Sequence, residues 1–170
     1  MPVNLELKAE VDSLEKSRRR AIDAGAQSQG MLMQVDTYFN VQHGRLKLRV
    51  LNGEIAELIR YERNEQSDER ISTFEKTEVS DFKIVRSMLE AAIGVLVVVA
   101  KRRDLFLFKG ARIHLDSVKN LGTFLEFEVP VIVQGEAERV MIELRSIFEI
   151  QPEQIIRCSY ANLLIERNAK

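Results

Sequence analysis

The sequence predicts an α+β fold in which about eight antiparallel strands curl into a closed or nearly closed barrel with helices outside it. Three observations predict it. Polar and apolar residues alternate over short segments at 3–11, 45–50 and 112–129, the pattern of strands with two unlike faces. Helical patterns with one apolar stripe interrupt runs of strands instead of alternating with them one for one, which is the order of an antiparallel sheet. The polar strand face is mostly Arg, Lys, Glu and Asp, where an ordinary wet face would mix in Ser, Thr and Gln. The helical stripes cover the apolar face, so the charged face is either open to water or the inside of a curled sheet. A barrel of about eight strands encloses room for one small ligand.

The first strand is VNLELKAEV, in which Asn4, Glu6, Lys8 and Glu10 alternate with Leu5, Leu7, Ala9 and Val11. Asp12 is placed to cap a helix running to about Ala24, with Leu14, Ala21 and Ile22 as its stripe and Gly25 at its end. Its basic run, Lys16 and Arg18 to Arg20, reads as a solvated face. Gln34–Val41, rich in aromatic and β-branched residues, reads as a strand. Gln42, His43 and Gly44 turn the chain into Arg45–Val50, where Arg45, Lys47 and Arg49 share a face. Three like charges there repel unless neighbours or an anion offset them. Asn52-Gly53 is a hairpin signal, and the strand Glu54–Arg63 follows, with Glu57, Ile59, Tyr61 and Arg63 on one side.

The polar run Asn64–Arg70 reads as a mobile loop. Ile71–Val79 resumes as a strand. Ser80 or Asp81 then caps a helix to about Ala92, with Val85, Met88, Leu89 and Ala92 inward and Gly94 at its end. Val95–Arg103 and Leu105–Phe108 read as two further strands, Lys101 and Arg103 sharing a face of the first, and Lys109-Gly110 makes a turn.

The richest stretch is ARIHLDSVKNLGTFLEFEV, residues 111–129. It reads as strands Arg112–Val118 and Thr123–Val129 joined through Asn120, Leu121 and Gly122. Arg112, His114 and Asp116 fall on one face, as do Glu126 and Glu128. Carboxylates two apart on a strand stand roughly 6.5–7 Å apart, a spacing that can serve one oxygen-loving cation, which in turn can hold phosphate oxygens. Pro130 ends the hairpin. Glu136–Glu149 is an amphipathic helix with Val140, Met141, Leu144 and Phe148 inward, Pro152 starts a short turn, and Ser159 caps a last helix, Tyr160–Arg167.

Composition narrows the function classes. The 170 residues are 45% hydrophobic and 30% charged, with net charge −1, which gives no nucleic-acid footprint yet allows a cationic cavity. Cys158 is the only cysteine, so no disulfide forms within the chain, and with only His43 and His114 a structural zinc site fails. MPVNLELKAEV has no signal-peptide pattern, and the most apolar run, Ala91–Ala100, is too short to span a bilayer. The expectation is one cytoplasmic domain over residues 1–170, monomer or homodimer, with no nucleic-acid or membrane partner.

NLELK, VDTYFNVQHGRLKLR, Lys101-x-Arg103 and RIHLDSVKNLGTFLEFEV together resemble the CYTH superfamily, which contains class IV adenylate cyclases, thiamine triphosphatases and inorganic triphosphatases, and most nearly its CyaB-like branch. The resemblance covers nearly the whole chain. It implies the triphosphate tunnel fold, an antiparallel eight-stranded closed tunnel flanked by helices. By position it implies that Glu6 and Lys8 are the second acid and the lysine of an ExExK motif, and that Lys47 and Arg49 hold a triphosphate. Arg63, Lys101, Arg103 and Arg112 would extend that cationic lining, joined by Arg45 from the alternation above. Asp116, Glu126 and Glu128, with Glu6, would face a Mg²⁺ or Mn²⁺ ion. Lys8, Arg49 and Arg103 are the catalytic candidates. One position departs from the motif: its first Glu is Asn4 here, an amide that offers an oxygen but no charge.

The reading that follows is a metal-dependent enzyme acting on ATP, thiamine triphosphate or inorganic triphosphate. Hydrolysis is favoured over cyclisation of ATP, because cyclisation needs a pocket that aligns a ribose hydroxyl with the α-phosphorus and no base-reading motif is visible. The alternative, motivated by Asn4, is a non-catalytic module that binds a nucleotide, triphosphate or polyphosphate in the same tunnel.

Overall fold

The computed structural model describes residues 2–63, 68–133 and 135–170, the side chain of Arg63 excepted. Its strands are β1 (Val3–Glu10), β2 (Gln27–Phe39), β3 (Arg45–Leu51), β4 (Ile55–Arg63), β5 (Arg70–Glu78), β6 (Val95–Phe108), β7 (Ala111–Val118) and β8 (Gly122–Pro130). They close into a barrel in the order β1-β5-β4-β3-β2-β6-β7-β8, every pair antiparallel. The helices are α1 (Leu14–Asp23), α2 (Phe82–Ile93), α3 (Glu136–Ile147) and α4 (Tyr160–Asn168), with a 3₁₀ turn at Pro152–Gln154. Among the described residues no helix is long and apolar enough to cross a membrane.

Alternation sorts the strand residues between the lumen and the outer shell. Leu5, Leu7 and Ala9 of β1 join Ile113, Leu115, Leu125 and Phe127 outside the barrel, where Ala21 of α1 and Ala137, Met141 and Leu144 of α3 cover them. A smaller outer cluster, Phe39, Leu48 and Ala56, lies under Phe82 and Leu89 of α2. The third cluster sits across one end of the lumen. There Tyr160, Ala161 and Leu164 of α4 pack on Tyr38, Ile59, Tyr61, Val99 and Phe124. The α4 helix therefore closes one end of the barrel. Tight turns join neighbouring strands where the sequence signalled them. Asn52 and Gly53 both have positive φ (53° and 72°), as do Lys109 and Gly110 (47° and 79°), the backbone of a type I′ turn.

Several boundaries differ from the sequence reading. Ser13, not Asp12, caps α1, its side chain accepting from the Lys16 amide. The second strand begins at Gln27 and not at Gln34; residues 27–33 pair only with β6 and are mostly exposed, which leaves no burial pattern to read. β6 is one strand of 14 residues. Asp104, which had divided it, points outward and pairs with Arg18 of α1. Met88 is 65% exposed and Ala92 is exposed, because α2 touches the barrel along a narrow strip that includes Phe82 and Leu89. Of the run read as a mobile loop, residues 64–67 lie outside the described set, and Arg70 belongs to β5 and is fully buried.

Candidate functional site

Inside the barrel lies a cavity of about 510 Å³. Lys8, Lys47, Arg49, Lys76, Lys101, Arg103 and Arg112 line it, opposed by Glu6, Asp36, Glu57, Glu126 and Glu128, so cations outnumber acids. Tyr38, Ile59, Tyr61, Phe74 and Val99 give it an apolar wall as well.

Two cross-strand pairs organise the cations. On β2 and β3, Asp36 stands opposite Arg49 in register. Arg49 donates to both carboxylate oxygens, Nε to Oδ1 and Nη2 to Oδ2, each at 2.9 Å. Lys47 Nζ lies 3.1 Å from Oδ2, and Gln34 Nε2 donates to the same oxygen at 3.2 Å. On β6 and β7, Arg103 stands opposite Asp116 and donates to both its oxygens at 2.7 Å. The Tyr160 hydroxyl donates to Asp116 Oδ2 at 2.9 Å, and Lys101 Nζ is 3.7 Å away. Such bidentate forks fix an arginine's direction, so each guanidinium is aimed by the aspartate facing it.

The α4 end supplies the floor. The Tyr160 ring lies under two ammonium groups, with Lys8 Nζ 3.9 Å and Lys101 Nζ 4.8 Å from its centroid. Lys8 also donates to the Cys158 carbonyl at 3.4 Å and lies 3.6 Å from Glu126 Oε2. Arg70 Nη1 donates to the Arg157 carbonyl at 3.1 Å.

On the β1–β8 side, Glu6 faces Glu128 and Lys8 faces Glu126 across the two strands. His114 of β7 faces Glu126 from the other side. His114, Glu126 and Glu128 each present one ligand atom within 4.8 Å of the other two, a group that can hold a metal ion.

Burial and charge pull these groups in opposite directions. Burial alone would raise Asp36, yet Arg49 and Lys47 hold it well below the usual carboxylate range. Burial would likewise raise Asp116, Glu126 and Glu128, but the cations around them prevail: Arg103 and Lys101 lower Asp116, Lys8 and Arg103 lower Glu126, and Glu128 is lowered too. The acids are therefore ionised and suited to a cation. Burial, with Arg103 nearby, pulls Lys101 down to about 8 and His114 down to about 4.

Nine residues named from the sequence line the cavity: Lys8, Lys47, Arg49, Lys101, Arg103 and Arg112, with Glu6, Glu126 and Glu128. Asn4 lines it too. Arg45 is not in the lining. It shares the inward strand face but reaches α4, where Nη2 donates to Asn162 Oδ1 at 2.6 Å. Asp116 is fully buried behind Arg103 with both oxygens taken by protein donors, so it serves as a counter-charge and not as an open metal ligand. The side chain of Arg63 lies outside the described set. Asp36, Arg70 and Tyr160 were missed. Asp36 shares the alternation of Gln34 and Tyr38, which was the available signal. Arg70 ends a polar run, and Tyr160 begins a helix, so neither shows a strand pattern.

A CYTH domain family model matches residues 3–160. No curated protein matches the chain. Among solved structures, the PH1012 protein of Pyrococcus horikoshii OT3 superposes with a TM-score of 0.84 at 23% identity, over 94% of this chain and 98% of that one. A candidate adenylate cyclase from Vibrio parahaemolyticus gives 0.76 at 20% identity, over 95% and 97%. HpAC1 from Hippeastrum, a candidate adenylyl cyclase with a dominant triphosphatase activity, gives 0.69 at 12% identity, over 100% and 97%. At these identities the likeness establishes the fold.

Asp116→Asn keeps the shape of the side chain but leaves the buried Arg103 without its counter-charge, a loss of roughly 3–5 kcal/mol. Urea unfolding without metal should show it; unchanged stability would contradict the anchoring role. Lys101 is charged below about 8 and neutral above it in the empty cavity. Affinity for a non-hydrolysable triphosphate, measured by calorimetry, should therefore fall as pH rises from about 7 to about 9, and Lys101→Arg, which stays charged, should flatten that fall. An equal fall in wild type and variant would remove Lys101 as its cause.

Proposed function

The chain belongs to the CYTH domain family, and from that premise we propose that it is a divalent-metal-dependent phosphohydrolase acting on a triphosphate that carries an organic group. The observation that carries this reading is the excess of cations over acids in a cavity inside the barrel, with two arginines held in fixed directions by aspartates. Gathering positive charge in a low-dielectric cavity is unfavourable unless an anion completes it. A triphosphate supplies several negative charges, and the lining cations face the lumen from β1, β3, β5, β6 and β7.

The roles follow from position. Arg49 and Arg103 present guanidinium groups pre-aimed at phosphate oxygens, which costs no reorganisation when charge develops in the transition state. Lys47 and Lys101 add charge beside them, and exposed Arg112 guides the anion in. Lys8, held between Glu126 and the Tyr160 ring, is placed to stabilise the transferring phosphoryl group. Glu126 and Glu128, ionised and at metal-ligand spacing, would hold the ion with help from Glu6. A divalent ion held there by Glu126 and Glu128 would supply charge neutralisation and Lewis-acid polarisation of the phosphate. Half-exposed Leu32, Leu51 and Phe74 in the lining would be left wet by a bare inorganic triphosphate, which favours a substrate with an organic group. The triphosphatase activity that dominates in HpAC1 supports hydrolysis over cyclisation.

Asn4, at the rim among these acids, motivates a second reading: a module that binds a triphosphate without turning it over. A panel of ATP, thiamine triphosphate and inorganic triphosphate, assayed with Mg²⁺ or Mn²⁺ for phosphate and for cyclic nucleotide, separates these readings. Phosphate release from an organic triphosphate is expected, lowered at least a hundredfold in Glu126→Gln, a loss of about 2.7 kcal/mol in transition-state stabilisation. Cyclic AMP with pyrophosphate would overturn hydrolysis, and tight binding with no product would establish the second reading.

A further inference from the structure

We propose that His114 is a nitrogen ligand in the metal site, and that this nitrogen makes the site prefer a first-row transition-metal cation, Mn²⁺ or Co²⁺, over Mg²⁺. The proposal rests on the reading of Glu126 and Glu128 as metal carboxylates and adds a donor that changes which ion the site selects.

His114 is fully buried, on the lumen side of β7 between Leu105 of β6 and Glu126 of β8. A neutral imidazole carries one donor and one acceptor, and buried polar side chains are almost always hydrogen-bonded. Neither ring nitrogen of His114 has a hydrogen-bond partner among the described residues. Glu128 Oε2 stands 3.9 Å from Nε2, beyond hydrogen-bond reach. A histidine serving only to pack would leave two polar atoms unsatisfied where an apolar ring costs nothing. A histidine serving only as a proton donor to Glu128 would close that distance. Instead a ring nitrogen, a Glu126 oxygen and a Glu128 oxygen lie within 4.8 Å of one another, so one ion would satisfy the orphaned nitrogen and both carboxylates at once.

The donor set decides the ion. Mg²⁺ takes oxygen ligands and keeps several waters, whereas imidazole nitrogen suits the later first-row metals, whose affinity for mixed nitrogen and oxygen sites rises from Mn²⁺ to Co²⁺. Two carboxylates and a neutral ring also match a divalent charge.

Mn²⁺ bound to the full-length protein, without triphosphate, tests this by pulsed electron paramagnetic resonance and calorimetry. Coupling to one directly coordinated ¹⁴N is expected in wild type. In His114→Gln that coupling should vanish and Mn²⁺ affinity should drop about tenfold or more, while Mg²⁺ affinity, set by the carboxylates, changes by less than about threefold. Absence of ¹⁴N coupling in the wild-type Mn²⁺ protein overturns the proposal without recourse to any variant. Loss of Mn²⁺ binding in Glu126→Gln with full retention in His114→Gln overturns the nitrogen ligand alone. Retention in Glu126→Gln overturns the carboxylate reading and the proposal with it.

Discussion

Like charges cannot be gathered in the interior of a barrel unless each is held by a counter-charge, and the rest of this structure depends on how that constraint is met. Uncompensated, a buried arginine or lysine would cost several kcal/mol. The chain meets the requirement locally: Asp36 and Asp116 sit directly across a strand pair from the arginines they hold. A carboxylate in register needs no loop or helix to bring it into place. The same pairing that builds the barrel also neutralises its lining, and at each pair the surplus cation, Lys47 or Lys101, stays beside the occupied carboxylate.

The α4 helix makes this arrangement possible at the closed end. Its first turn places one aromatic ring under Lys8 and Lys101 and one hydroxyl on Asp116, and the preceding loop offers carbonyls to Lys8 and Arg70. Apolar contacts of Ala161 and Leu164 with the lumen aromatics hold the helix there. Closure by α4 removes water from one end, which strengthens every charge interaction in the cavity. The open end keeps exposed Arg112 and half-buried Asn4 and Glu128 within reach of solvent.

Much of this was legible because a strand displays its faces at a period of two. Glu6 and Lys8 of β1, Lys47 and Arg49 of β3, Lys101 and Arg103 of β6, Arg112 of β7, and Glu126 and Glu128 of β8 fall on that period, and they do face the lumen. Parity gives the face but not the depth. Arg45 and Asp116 have the correct parity, yet one reaches α4 and the other is sealed behind Arg103. Residues 27–33 escaped notice because a strand segment paired on one side and mostly exposed carries no hydrophobic alternation. Tyr160 escaped because a residue that begins a helix enters the site through tertiary packing, for which sequence spacing has no signature. The pairing of β2 with β6, distant in sequence, also had no local signal, though it carries the longest ladder in the barrel.

The central claim is that the paired arginines form a prebuilt cradle for a linear polyanion. The structure of the protein with a non-hydrolysable triphosphate tests it most directly. Phosphate oxygens should lie on Lys47, Arg49, Lys101 and Arg103, with Arg49 still on Asp36 and Arg103 still on Asp116. A triphosphate bound outside the barrel, or arginines swung off their aspartates to reach it, would contradict the claim.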